Sequence, residues 1–167
     1  MSERTPRILA VASSGGHWAQ LMRLRPAWQG CDVAYLTTEA GYGRRLREQA
    51  DREGLPPPRF YTAVSANRWQ KLRLVRQLAA ITWAVMKERP AVVCTTGASP
   101  GYFALRFGRM IGARTVWIDS IANGETMSMA GRMAGRYADV WLTQWESVAA
   151  DEPPVGEARP QYWGAVL

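Results

Sequence analysis

"RILAVASSGGHWAQL", residues 7 to 21, runs from an apolar, β-forming stretch through two serines and two glycines into a segment with Trp18, Leu21, Met22 and Leu24 at helical spacing. A strand that turns through glycine directly into a helix opens a βα unit. Glycine permits the tight turn and lets a ligand approach the backbone. The first N–H groups of the helix lack partners, and its positive end favours anions. Ser13, Ser14, Gly15 and Gly16 therefore form a candidate cradle for a phosphate or pyrophosphate. Their spacing matches neither GxGxxG nor GxxxxGK[ST], so ordinary NAD or ATP binding does not fit. His17, the only histidine of the chain, falls in the first turn of the helix. It reads either as a general base or as a hydrogen-bonded structural residue.

Working outward, β-rich runs recur with helix-like segments between them: "DVAYLTT" from Asp32, "RFYTAVS" from Arg59, "AVVCTTG" from Ala91, "TVWIDS" from Thr115, "DVWLTQ" from Asp139 and a last "YWGAVL" from Tyr162. Several are apolar almost throughout, as strands covered by helices on both faces of a parallel sheet must be. The predicted fold is thus α/β. The main runs end in small or polar residues: Ser13 and Ser14, Thr37 and Thr38, Ser65, Thr96 with Gly97, Asp119 with Ser120, and Gln144. Each alone reads as a helix cap. Their coincidence on the edge where open parallel sheets bind ligands points to a site.

Two further stretches on that edge carry candidates. "TTGASPGYFAL" repeats the first turn's design, with Thr96, Gly97 and Ser99 ahead of Pro100, which a helix's first turn tolerates. It reads as a second polar cradle or as a plain capped helix start. Asp119 heads "DSIANGETMSMAGR", whose Gly124 and small polar residues predict a mobile segment bearing Ser120, Asn123 and Glu125. A carboxylate at Asp119 could orient or deprotonate a sugar hydroxyl, or could cap a turn. Glu125 is a second, weaker candidate.

Composition bounds the rest. With 167 residues, 47% hydrophobic and 21% charged, the chain fits one globular domain, expected over residues 1–167. Its net charge of +7 comes almost wholly from arginine and suits phosphates, acidic headgroups or nucleic acid. The arginines are scattered and no RNA- or DNA-binding motif appears, so nucleic acid is not the expected partner. Cys31 and Cys94 lack metal or CxxC spacing and no signal-peptide pattern opens the chain, which predicts buried thiols in a reducing cytoplasm. No metal-ligand set or cofactor motif is found, and neither is expected. "GLPPPRF" and "DEPPVGEARPQ" are stiff connectors rather than domain boundaries.

The segment from Asn67 to Arg89 places Leu72, Val75, Leu78, Ala79, Trp83 and Met86 at helical spacing behind Arg68, Lys71, Arg73 and Arg76. Its apolar part falls short of the ~20 residues that cross a bilayer. The preferred expectation is a crossover helix packing this stripe on the sheet. The alternative is an interfacial helix with its basic residues at lipid headgroups.

"ASSGGHWAQLMRL", "TTGASPGYFAL", "VWIDSIANGETMSMAGRMAGRYADVWLTQWE" and "YWGAVL" together resemble the acceptor-binding, membrane-associated subunit of the split UDP-N-acetylglucosamine transferase of lipid-linked oligosaccharide synthesis. They are still more similar to its bacterial relatives in exopolysaccharide assembly. The resemblance implies a Rossmann-like domain equivalent to the N-terminal half of a MurG-like GT-B glycosyltransferase. It also implies a polyprenyl-diphosphate-linked sugar as acceptor, an inverting transfer, and a separate partner chain holding the UDP-sugar, because this chain ends at the strand after which a one-chain relative would continue. Gly15, Gly16 and His17 match the family's glycine-rich turn at the acceptor pyrophosphate and reacting hydroxyl. "TTGASPG" matches a second turn lining the interdomain cleft. Asp119 stands where relatives carry an acidic residue, often the longer glutamate. The eukaryotic subunit's membrane-spanning anchor has no counterpart here, so a peripheral place on the inner face of the plasma membrane is expected, held by the basic, Trp-bearing surface or by the partner. Two other readings remain: a non-catalytic docking or membrane-recruiting subunit, and a stand-alone nucleotide-binding Rossmann enzyme.

Overall fold

The computed structural model describes residues 5–66 and 69–166. Strands β1 (Arg7–Val11), β2 (Asp32–Thr37), β3 (Arg59–Thr62), β4 (Val92–Thr95), β5 (Arg114–Ile118), β6 (Val140–Thr143) and β7 (Gln161–Tyr162) alternate with helices α1 (Gly16–Arg23), α2 (Gly41–Glu53), α3 (Lys71–Glu88), α4 (Ala98–Met110), α5 (Met129–Ala134) and α6 (Glu146–Asp151). Every ladder is parallel, in the order β3-β2-β1-β4-β5-β6-β7. The α/β, Rossmann-like expectation holds.

The chain enters at the middle of the sheet, builds to one edge through β2 and β3, then crosses back to place β4 beside β1. Helices α1 and α2 pack on one face and the later helices on the other, the arrangement that right-handed crossovers from a central first strand give. Side-chain alternation follows suit. Ala10, Ala12 and Tyr35 pack with Trp18, Leu21 and Leu46, whereas Leu9, Val11 and Leu36 pack with Ile81, Ala84 and Val85 of α3. A third cluster under α4 to α6 centres on the fully buried Trp117, with Trp141, Tyr102 and Val148. Strand order reverses between β1 and β4, and a crevice opens at the carboxyl ends of strands at such a point.

Helix α3 corrects the preferred reading of its stripe. Its sheet-facing residues are Gln77, Ile81, Ala84, Val85 and Glu88. Leu72, Val75, Trp83 and Met86 stand 83%, 62%, 56% and 50% exposed, Ala79 is also exposed, and Leu78 is half-buried. Two buried polar residues on the true inner face concealed it in the sequence. Glu88 is held there by Arg59 Nε at 2.9 Å and by the Tyr61 hydroxyl, and burial together with the Glu88 charge pushes Tyr61 up to about 12. Lys71, Arg73 and Arg76 are exposed at the front of α3, while Arg68 lies outside the described residues. The last run is corrected too. Among the described residues of "YWGAVL" only Tyr162 lies in a strand, and the chain leaves the sheet after it, with Gly164 at φ 105. Leu167 lies outside the described residues.

Both cysteines are free, Cys31 half-buried and Cys94 buried, where desolvation pushes the thiol up to about 12. Helix α4 rests on β4 through Gly101, where an added Cβ would stand 2.0 Å from Thr95 Oγ1. Gly101→Ala should therefore cost about 1–3 kcal/mol by overpacking. Urea denaturation should show a lower midpoint with an unchanged m-value.

Candidate functional site

Helix α1 follows Gly15, whose φ of 77 lies in the left-handed region that glycine adopts without strain. Ser14 N donates to Thr38 Oγ1 at 3.0 Å and Gly15 N to the Tyr42 hydroxyl at 3.2 Å. The cradle read from the sequence is thus partly filled by the chain's own side chains. The donors left for an anion are the N–H groups of Gly16, His17 and Trp18, which have no intrahelical acceptor. Ser13 is half-buried beside them.

The half-buried His17 ring is held across the β1–β4 seam. Its Nδ1 lies 2.9 Å from the Thr96 carbonyl, and Thr96 Oγ1 donates back to the His17 carbonyl at 2.7 Å. A carbonyl can only accept, so in the neutral ring Nδ1 carries the proton and Nε2 keeps a lone pair. Among the described residues Nε2 has no hydrogen-bond partner. Gly97 makes the approach possible, since a Cβ there would stand 2.8 Å from His17 Cε1 and 2.9 Å from Nδ1. Its φ of 129 is a second reason for glycine. Gly97 N donates to Thr95 Oγ1 at 3.1 Å. The Ser99 hydroxyl is directed inward, donating to Gln77 Oε1 at 2.8 Å rather than facing the crevice.

Asp119 proves to be an anchor. Its side chain is 1% exposed and both oxygens are occupied: Oδ1 accepts from Trp117 Nε1 at 3.1 Å and Ser128 Oγ at 2.6 Å, Oδ2 from Asn123 Nδ2 at 2.9 Å and Ser128 N at 2.8 Å. The Gln144 amide donates to its backbone carbonyl at 2.8 Å. The loop Ser120–Ser128 is therefore wound around a buried carboxylate rather than left loose. Trp145 Nε1 fastens it again at the Ile121 carbonyl, 2.8 Å, and Glu152 at Met127 N, 3.1 Å. Within it Ser120 Oγ accepts from Ala122 N, the Asn123 side chain is spent on Asp119, and Glu125 alone of the predicted residues there stands exposed.

The structure so brings Ser13, Ser14, Gly15, Gly16, His17, Thr96 and Gly97 together at the β1–β4 seam, and places Asp119, Ser120, Asn123 and Glu125 after β5, beyond β4. Two surface hollows are present, the first away from this seam and the second adjoining α1 and α2. One of about 320 Å³ is lined by Tyr102, Arg132, Met133, Arg136, Tyr137 and Val155, the other of about 180 Å³ by Trp18, Met22, Tyr42, Arg45, Leu46 and Gln49. No group of three or more His, Cys, Asp or Glu among the described residues could hold a metal ion. Tyr42, Thr95 and Gln77 shape the site although sequence reading passed over them. Tyr42 and Gln77 find their partners far along the chain, where no local pattern marks them, while Thr95 serves Gly97 only two residues on.

No family model matches the chain. It is similar to the UDP-N-acetylglucosamine transferase subunit ALG14 of Eremothecium gossypii, 26% identical over 165 residues that cover 85% of this chain and 74% of the relative. The same subunit from Homo sapiens is 26% identical over 179 residues, covering 89% of this chain and 82% of the relative. The resemblance to the split-transferase subunit holds. Among solved structures, Acinetobacter baumannii MurG shares the fold with a TM-score of 0.66 at 14% identity, over 95% of this chain and 47% of that one. The UDP-GlcNAc 2-epimerase of Methanocaldococcus jannaschii does so with a TM-score of 0.60 at 9% identity, over 87% and 41%. The chain thus spans less than half the length of either solved protein.

Asp119→Asn puts an NH2 group among donors that need an acceptor. It should cost roughly 2–3 kcal/mol of stability, the worth of a hydrogen bond to a charged group. Chemical denaturation of the isolated chain measures this directly.

Proposed function

We propose that this chain is the acceptor-binding subunit of a two-chain inverting glycosyltransferase. In this reading it holds a polyprenyl-diphosphate-linked sugar at the cytoplasmic membrane, while a partner chain supplies a UDP-sugar, UDP-N-acetylglucosamine by analogy with the ALG14 relatives. The observation that carries the reading is the His17 ring, fixed through Nδ1 to the Thr96 carbonyl with Nε2 bare, beside the free amides that open α1. Those amides and the positive helix end suit the acceptor diphosphate. His17 Nε2 takes the proton of the acceptor hydroxyl, whose oxygen attacks the anomeric carbon from the side opposite UDP. The bond to UDP breaks, UDP leaves with the electron pair, and the configuration inverts. Asp119, saturated by its own loop, holds the β5 turn in shape and is not assigned the proton. The relatives are named as subunits, which supports a donor site on a second chain.

The exposed stripe of α3 supplies the membrane contact. Leu72, Val75, Trp83 and Met86 form one face with Lys71, Arg73 and Arg76 at its front, an arrangement suited to acyl chains and anionic headgroups. No helix among the described residues is long and apolar enough to cross a membrane.

His17→Ala, assayed with the partner, UDP-sugar and polyprenyl-diphosphate acceptor, should lower kcat by about 10²–10⁴-fold with acceptor KM little changed. An unchanged kcat would remove His17 as the base. A second expectation concerns Leu72→Ser combined with Trp83→Ser. Burying a large apolar side chain is worth about 1.5–3 kcal/mol, so the pair should weaken sedimentation with anionic vesicles by at least about tenfold. Salt should weaken the wild-type protein's binding as well.

A further inference from the structure

Gln77 is 1% exposed in α3, on the face that packs Ile81, Ala84 and Val85 against the sheet. An amide buried among apolar side chains is costly unless its polar atoms are paired. Here the pairing is directional: Nε2 donates to the Val64 carbonyl at 2.8 Å, and Oε1 accepts from Ser99 Oγ at 2.8 Å. Val64 follows β3 and Ser99 lies in the first turn of α4. One side chain therefore ties the segment after β3 to the turn between β4 and α4.

That turn holds unusual backbone. Ala98 has a φ of 62, in the left-handed region where a Cβ is unfavourable, directly after Gly97 at 129. Such conformations persist where their surroundings over-determine them. On the strand side the turn is fixed by Gly97 N donating to Thr95 Oγ1. On the helix side it is fixed by Ser99 donating to Gln77. Thr96 lies between these ties, and it is Thr96 that grips His17 twice.

We propose that Gln77 is a positioning residue for His17: through Ser99 it holds the Thr96–Ala98 turn whose carbonyl selects the imidazole tautomer with Nε2 free. The proposal rests on the reading of His17 as the base, but its primary readout requires no transfer. With the Ser99 tie cut, Ala98 relaxes toward negative φ, the Thr96 carbonyl leaves Nδ1, and the ring samples both tautomers. The amides of Gly16, His17 and Trp18 belong to the other turn and keep their grip on the acceptor, so the loss falls on kcat rather than KM.

The chain has one histidine, so its imidazole ¹⁵N resonances report the tautomer without ambiguity. In the full-length chain, at a pH where the ring is neutral, the Nδ1–H form should predominate. Ser99→Ala and Gln77→Leu should each lower the ratio of Nδ1–H to Nε2–H forms by about two- to tenfold, the worth of one hydrogen bond. Ser99→Thr, which keeps the hydroxyl, should preserve it. With the partner present, kcat should fall by a comparable factor at constant acceptor KM. Gln77→Leu changes a buried residue and can unfold the chain. Ser99→Ala removes one hydroxyl from a half-buried position and carries the test alone if it does. An unchanged tautomer ratio in folded Ser99→Ala overturns the proposal. A shifted ratio with undiminished kcat upholds Gln77 as the positioning residue and overturns His17 as the base.

Discussion

Because β4 pairs with β1 rather than with β3, which precedes it in the chain, two glycine turns remote in sequence stand side by side. The contact between them is small: one imidazole on one carbonyl, one hydroxyl returned to the His17 carbonyl, and one glycine without a side chain to obstruct them. The sheet supplies the alignment at no cost to the turns themselves, since the ladder from Ile8 with Val92 to Val11 with Thr95 fixes where both strands stop. Site geometry is thus inherited from strand register, and it will be as rigid as the middle of the sheet.

Buried polar side chains do the remaining fastening. Asp119 gathers the loop after β5, Glu152 reaches that loop at Met127 and also pairs with Arg132, Glu88 draws in Arg59 and Tyr61, and Gln77 braces the turn before α4. Each is at least nine-tenths buried and satisfied by partners from other elements. Such groups add little net stability when paired and cost much when a partner is lost, so they specify one arrangement more than they strengthen it. Backbone in the left-handed region without glycine falls at Arg89, which ends α3, and at Ala98, two residues beyond His17's partner Thr96.

The sheet, its helices and the two glycine turns were legible because they rest on local signals: apolar runs, small residues at strand ends, and a proline placed where a helix can begin. The orientation of α3 was not. Leu72, Val75, Trp83 and Met86 make a good apolar stripe, and only the structure reveals that Gln77 and Glu88 lie inside while that stripe faces out. Periodicity reports a face but not what it packs against. The role of Asp119 was hidden for the same reason. A carboxylate at a strand end reads as reactive until Ser128, Asn123 and Trp117 are seen to fold around it.

The way His17 is moored has a consequence for how its ring can work. The nitrogen it uses to hold on is a donor whether the imidazole is neutral or cationic, so gaining a proton at the opposite nitrogen breaks no bond to Thr96. The ring can gain and lose a proton within a stationary frame, and no neighbour has to move between the two states.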